Sequence, residues 1–413
     1  MNKPKRTALA ALWALFATGA FAQIGGAWTG TLDLGPQQLT LVFRVNPEAR
    51  TITLDVPQQG AQGLPARVNV LTDDSVSLTI DAISLNYRGK LVDGKINGTF
   101  SQFTLVKDLI LTRGEQTYAR PQEPKAPFPY IALSVGFDNK AAGVRLSGTL
   151  TYPVGYRNGV KVPVVLLVTG SGPQNRDEEL FHHKPFRVLA DALARAGIAS
   201  LRYDDRGVGQ STGTFAGATT FDFAADAAAG LDYLRRQGTF SKVGLVGHSE
   251  GGLIAYLLAA EQKTDFVVSM AGPATRVDTL MYEQLNALGR VQGAQGPLVK
   301  SVAQAREFLL RQDSGAWTRT FLDIDMAPYL RRVTCPVLAL SGSRDLNVPP
   351  SLTLPALRAA LPASTPLVIR EYPGLNHLFQ HAPTGNPTEY LLLEETLAPE
   401  VITDLIHWIQ ALP

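Results

Sequence analysis

The stretch Lys242-Val-Gly-Leu-Val-Gly-His-Ser-Glu-Gly251 constrains this chain more than any other. An apolar run suited to a buried strand leads into Gly247-x-Ser249-x-Gly251, and the apolar Gly252-Leu-Ile-Ala-Tyr256 then opens a helical segment. A strand, a tight turn and a helix in that order hold the serine on a strained backbone at the C-terminal end of a sheet. Glycines flank it because a β-carbon there would collide with the neighbouring strand or helix. Ser249 is thereby presented as a nucleophile. The same five-residue pattern also occurs in βα turns that merely pack closely, so the rest of the chain has to decide.

With 413 residues the chain has enough length for two cores, one large domain and a smaller one. The formal net charge is only +2, and no Lys/Arg stripe is interleaved with aromatics, so neither nucleic acid nor an anionic membrane surface is expected as partner. Lys3, Lys5 and Arg6 followed by the apolar run Ala8 to Phe21 and by Ala20-Phe21-Ala22 read as an export signal, residues 1–22, cleaved after Ala22. The run is shorter than the ~20 residues a membrane-spanning helix needs, so no stable membrane insertion is expected after cleavage, and the destination is periplasm or medium. Cys335, the only cysteine, opens a buried-strand pattern and reads as a packed thiol.

Beyond the signal, residues 23–119 alternate with period two in short segments such as Leu39 to Val45, Thr51 to Val56, Val76 to Ile80 and Gly89 to Phe100. Roughly eight antiparallel strands in about 90 residues make a small barrel or sandwich. It holds no histidine and no cysteine, so it cannot complete a metal site or a His-dependent triad, and Trp28 and Tyr87 read as core or rim aromatics rather than a carbohydrate platform. A Pro-rich linker, 120–129, ends this domain.

From 130 to 413 the period changes. After a hairpin (Ile131 to Phe137, Val144 to Tyr152), strands at Val162 to Val168, Ala199 to Tyr203, Val243 to Val246, Phe266 to Met270, Val337 to Leu340 and Leu367 to Glu371 alternate with helical segments. Continuous Val/Ile/Leu strands between helices mean a parallel sheet covered on both faces, with its chemistry at the strands' C-terminal ends. A helical insertion at about 274–333 is long enough to form a cap, and Leu285, Leu288, Phe308, Leu309 and Trp317 are its candidates for lining an acyl or alcohol pocket.

This arrangement resembles the α/β-hydrolase family: an elbow serine, an acid after it and a histidine last, in the chain order that family uses. Gly170-Ser-Gly-Pro-Gln-Asn-Arg-Asp177 and Tyr203-Asp-Asp-Arg-Gly-Val-Gly-Gln-Ser211 are similar to the bacterial carboxylesterases that carry a small N-terminal β-domain. The likeness implies hydrolysis of a small-molecule ester through an acyl-Ser249 intermediate, with no cofactor. The sequence itself shows no metal-ligand spacing and no phosphate loop.

The partners of Ser249 follow from chemistry and from this resemblance. An alcohol needs a base, and histidine titrates near neutrality. Of six histidines, His248 lies within the elbow, where its side chain diverges from that of Ser249, and His407 lies in the last helix. His377, in the loop Pro373-Gly-Leu-Asn-His, stands where the family places its base, with His381 in reserve. Asp345, ending the strand that starts at Val337, stands where the family places its acid, though a turn aspartate would look the same. Asp204 and Asp205 compete less well, and with Arg206 they read as loop-fixing residues. The resemblance assigns the oxyanion donors to the backbone N–H groups of Glu250 and Ser171. His182 and His183 read as solvated residues near the pocket mouth. Two other functions remain open: a serine peptidase or amidase of prolyl-oligopeptidase-like type, and a non-catalytic exported binding protein.

Overall fold

The computed structural model describes residues 24–34, 38–59, 61–115 and 117–413, so the export signal read at 1–22 lies outside the described residues. The chain divides into two compact units, Met1–Gln116 and Thr117–Pro413.

In the first unit β1 (Gly26–Asp33), β2 (Gln38–Asn46), β3 (Thr51–Val56), β4 (Ala61–Leu71), β5 (Ser75–Ile80), β6 (Leu85–Val92), β7 (Lys95–Gln102) and β8 (Leu105–Arg113) follow one another antiparallel. They close into a barrel when β1 pairs with β8, Trp28 opposite Arg113. Alternation puts Phe43, Leu54, Leu78, Ile96 and Leu111 inside. Trp28 and Tyr87 are fully buried there, which their polar tips permit: the indole N–H donates to the Ile24 carbonyl at 2.8 Å and the phenol to that of Leu109 at 3.1 Å. The segment Gly89 to Phe100 is a hairpin rather than one run, because Asp93 and Gly94 take φ of 50° and 76°, the mirror-image turn that matches strand twist. No residue of β4 is fully buried, which is why it carries no clear alternation.

The second unit is built on a sheet of strand order β16-β15-β14-β13-β11-β12-β10-β9. Its strands are β9 (Ala132–Asn139), β10 (Val144–Thr151), β11 (Val162–Val168), β12 (Ala199–Tyr203), β13 (Phe240–His248), β14 (Val267–Met270), β15 (Val337–Gly342) and β16 (Leu367–Tyr372). From β12 to β16 the pairing is parallel, while β10 and β9 add an antiparallel edge. Helices α2 (Thr220–Gln237), α3 (Glu250–Ala260) and α8 (Pro350–Ala360) cover one face, and α1 (Pro185–Arg195) and α9 (Pro399–Gln410) the other. The caps of α2 explain its limits: Thr219 and Asp222 form a capping box, and Gly238 ends it at φ 67°. Every residue of α3 is buried, so the helix behind Ser249 is as enclosed as the central strands β12, β14 and β15.

The chain runs from β11 to β12 on one side, then returns to β13 on the other side of β11. That reversal opens a crevice at the C-terminal ends of β11 and β13, where a doubly wound sheet binds ligands. The insertion between β14 and β15 forms α4 (Val277–Val291), α5 (Val302–Gln312), α6 (Ala316–Asp323) and α7 (Ala327–Leu330). The last two are separate helices because Ile324 is extended at ψ 125° and breaks the helical path between them. Cys335 is half-buried just before β15, and burial pushes its thiol up to about 11.

Candidate active site

Ser249 follows β13 directly and takes φ 53° and ψ −119°, a conformation that costs a non-glycine residue a few kcal/mol and that only over-determined surroundings sustain. Those surroundings are visible at the glycines. A β-carbon on Gly247 would lie 2.0 Å from the Gly251 carbonyl oxygen, and one on Gly251 would lie 2.1 Å from that of Val168. The elbow therefore packs backbone against backbone, with β11 as its floor.

Asp345 and His377 meet beside it. Asp345 is 3 % exposed, and its Oδ2 accepts the His377 Nδ1 proton at 2.8 Å. Its other oxygen accepts from the amides of Asn347 and Val348, both at 2.8 Å, so the turn role and the histidine-orienting role belong to one carboxylate. The His377 loop braces itself: Asn376 Oδ1 accepts from the amides of Leu378 and Gln380 at 3.0 and 2.9 Å. With Nδ1 donating to Asp345, the lone pair of Nε2 is left to take a proton.

Ser249 and His377 line one cavity of ≈ 250 Å³ together with Gly170 and Ser171. Glu250 is the first residue of α3, so its N–H has no partner within the helix. Its side chain is buried, and Oε1 accepts from the Thr220 hydroxyl at 2.6 Å and from the Trp317 indole at 2.9 Å. Burial raises this carboxyl above the ordinary range. The cap contributes Leu280, Met281, Gln284, Trp317 and Phe321 to the wall. Of the cap residues read from sequence, only Trp317 is among the lining. Leu285 and Leu288 are half-buried outside the lining, and Asn286 beside them turns inward to bond both the amide and the carbonyl of Val299. Phe308 and Leu309 lie on α5, which buries only Ala305 and leaves Phe308 44 % exposed.

The loop after β12 is tied as a brace. Asp204 bonds the Arg176 guanidinium at 2.7 Å, Asp205 accepts from the Gln174 amide at 2.9 Å, and Arg206 pairs with Asp226 at 2.7 Å. Burial pushes Asp205 up to about 7. His381 is exposed and pairs with Glu395, and His182 is exposed. His183, by contrast, is not solvated. It is 1 % exposed, between the Thr396 hydroxyl at 2.8 Å and the Tyr390 carbonyl at 2.9 Å, because the last loop folds over it.

Sequence reasoning did not find Glu178, which reaches the elbow from the loop after β11 and bonds His248 at 2.9 Å. A single acid in a turn-rich loop carries no periodic signal. Among the described residues no group of three or more His, Cys, Asp or Glu side chains is arranged to hold a metal ion, and no helix is long and apolar enough to cross a membrane.

A family model described as "Serine aminopeptidase, S33" matches residues 181–383, a span that holds Ser249, Asp345 and His377 but not Ser171. Esterase EstD of Thermotoga maritima is 30% identical over 213 residues, 49% of this chain, which thus spans 50% of that relative's length. Among solved structures, Est1E from Butyrivibrio proteoclasticus is 17% identical with a TM-score of 0.45, covering 67% of this chain and 97% of its own. The Pyrococcus furiosus esterase PF2001 is 18% identical with a TM-score of 0.46, covering 72% and 98%.

Proposed function

We propose that this chain is an α/β-hydrolase, a serine carboxylesterase that cleaves small-molecule carboxylic esters through an acyl-Ser249 intermediate. One observation carries the reading: a strained-elbow serine and a histidine whose Nδ1 is held by a buried aspartate line the same cavity. His377 Nε2 takes the Ser249 proton as Oγ attacks the ester carbonyl, and Asp345 steadies the imidazolium that forms. The amides of Glu250 and Ser171 donate to the oxygen that becomes negative. Collapse breaks the ester C–O bond and His377 hands its proton to the leaving alcohol. Water, deprotonated by the same imidazole, then releases the acid and restores the hydroxyl. The apolar wall of Leu280, Met281, Trp317 and Phe321 suits an apolar acyl or alcohol group.

A second reading, a serine peptidase or amidase, is favoured by the description of the matching family model. A panel of 4-nitrophenyl esters against aminoacyl-nitroanilides separates the two. Turnover of the esters with none of the anilides is expected, and the reverse pattern would establish the peptidase. A protein whose Ser249 no fluorophosphonate labels would instead be a binding module on this scaffold. The export signal supports a periplasmic or extracellular location, tested by N-terminal sequencing of the mature protein, which should begin at Gln23.

A further inference from the structure

Beside the Asp345–His377 pair lies a second carboxylate and imidazole that the reaction does not consume. Glu178 and His248 are 1 % and 3 % exposed, enclosed by Phe186, Leu189, Met270 and Phe379. Glu178 Oε1 accepts twice, from the Gly170 amide at 2.8 Å and from His248 Nδ1 at 2.9 Å. The far side of the ring, Nε2, donates to the backbone carbonyl of His377 at 2.9 Å, and the two imidazoles lie with centroids 4.8 Å apart, tilted by 44°. With Glu178 as a carboxylate both nitrogens of His248 meet acceptors, an arrangement the doubly protonated ring satisfies. Burial alone would favour the neutral ring, but Glu178, the His377 carbonyl and the charge of Asp345 outweigh it and hold the imidazolium above its ordinary range.

We propose that Glu178 and His248 are positioning residues, a buried carboxylate–imidazolium pair that ties the oxyanion loop at Gly170 to the peptide of His377 across the root of the elbow. The inference rests on the serine-hydrolase reading. Gly170 immediately precedes Ser171, so the bond to Glu178 fixes the peptide just before the one from which the second oxyanion donor projects. The bond to His377 fixes the base at its backbone, as Asp345 fixes it at its ring. Neither Glu178 nor His248 exchanges a proton with substrate. The pair keeps donor and base in one register, and a misplacement of about 1 Å at such a site costs about a hundredfold in rate.

The test uses the full-length wild type, Glu178→Gln, His248→Gln and the double variant, assayed with 4-nitrophenyl acetate. Each single variant should lower kcat about 10- to 100-fold with KM changed less than about threefold. The double variant should be no slower than the slower single, because the two act as one unit. Losses that multiply in the double variant, or an unchanged kcat in either single, overturn the proposal. For variants that fold poorly, nitrogen-15 histidine NMR of the wild type at neutral pH decides. Protons on both ring nitrogens of His248 support the pair, and a singly protonated ring overturns it. A wild type that neither turns over esters nor takes up a fluorophosphonate refutes the hydrolase reading instead, while the NMR result still judges the pair by itself.

Discussion

Asp345 divides its oxygens between two tasks, closing its own turn with one and orienting His377 with the other. Asp345→Asn leaves the turn acceptor in place but presents an amide to Nδ1, which favours the wrong tautomer; kcat for an ester should fall about 10⁴-fold with little change in melting temperature. Ser249→Ala should lower it by about 10⁴- to 10⁶-fold and leave folding intact, since the removed hydroxyl lies at a half-buried position. Full turnover in either variant would refute the assignment behind it. His183 governs a different property. Burial first, then the charge of Arg120, lowers its imidazole to about 4. The unfolded chain, with an ordinary value near 6.5, takes up the proton first. Stability is therefore complete above about pH 6.5, falls as the pH drops, and levels off near 4 after a loss of roughly 3 kcal/mol. Denaturant titrations across that window should show a shallower fall in His183→Gln; an unchanged slope would contradict the buried, neutral ring.

Among elements, the elbow was legible and the cap only in outline. The strand, turn and helix around Ser249 announce themselves because glycine spacing and apolar period answer to strict local geometry, and the 2.0 and 2.1 Å approaches at Gly247 and Gly251 are that geometry. Gly251→Ala should accordingly destabilise the second unit by about 3 kcal/mol or more, read as a lowered melting temperature. The cap misled because both α4 and α5 carry apolar residues at helical spacing while only α4 reaches the cavity, and periodicity alone does not say which helix or face meets it. Only the lining of the folded cavity singles out Leu280, Met281 and Phe321. Trp317 forms part of the wall and stacks on Phe321 at 4.8 Å. Trp317→Ala should raise KM for short acyl esters about tenfold and shift preference toward longer chains, as a chain-length panel would show. Glu178 and the inward turn of His183 were invisible for another reason: each is defined by residues distant in sequence.

At the scale of the molecule, the change from period two to alternating strands and helices marks two separate cores, one closed inside the barrel and one divided between the two faces of the sheet. The prolines of 120–129 suggest the boundary, while the division itself falls between Gln116 and Thr117, because Arg120 already bonds the carbonyls of Phe181 and Leu391 in the second unit. Calorimetry should resolve two transitions, and Trp28→Ala should cost the first unit about 3–5 kcal/mol while the other transition stays in place. The central claim, that Ser249 is acylated with His377 as base, is tested most directly by rapid-quench mass spectrometry with a slowly deacylating ester. The account expects the acyl mass on the peptide containing Ser249 during the first turnover, and its disappearance in His377→Ala. Acyl mass on another residue, or none at all while product forms, would contradict it.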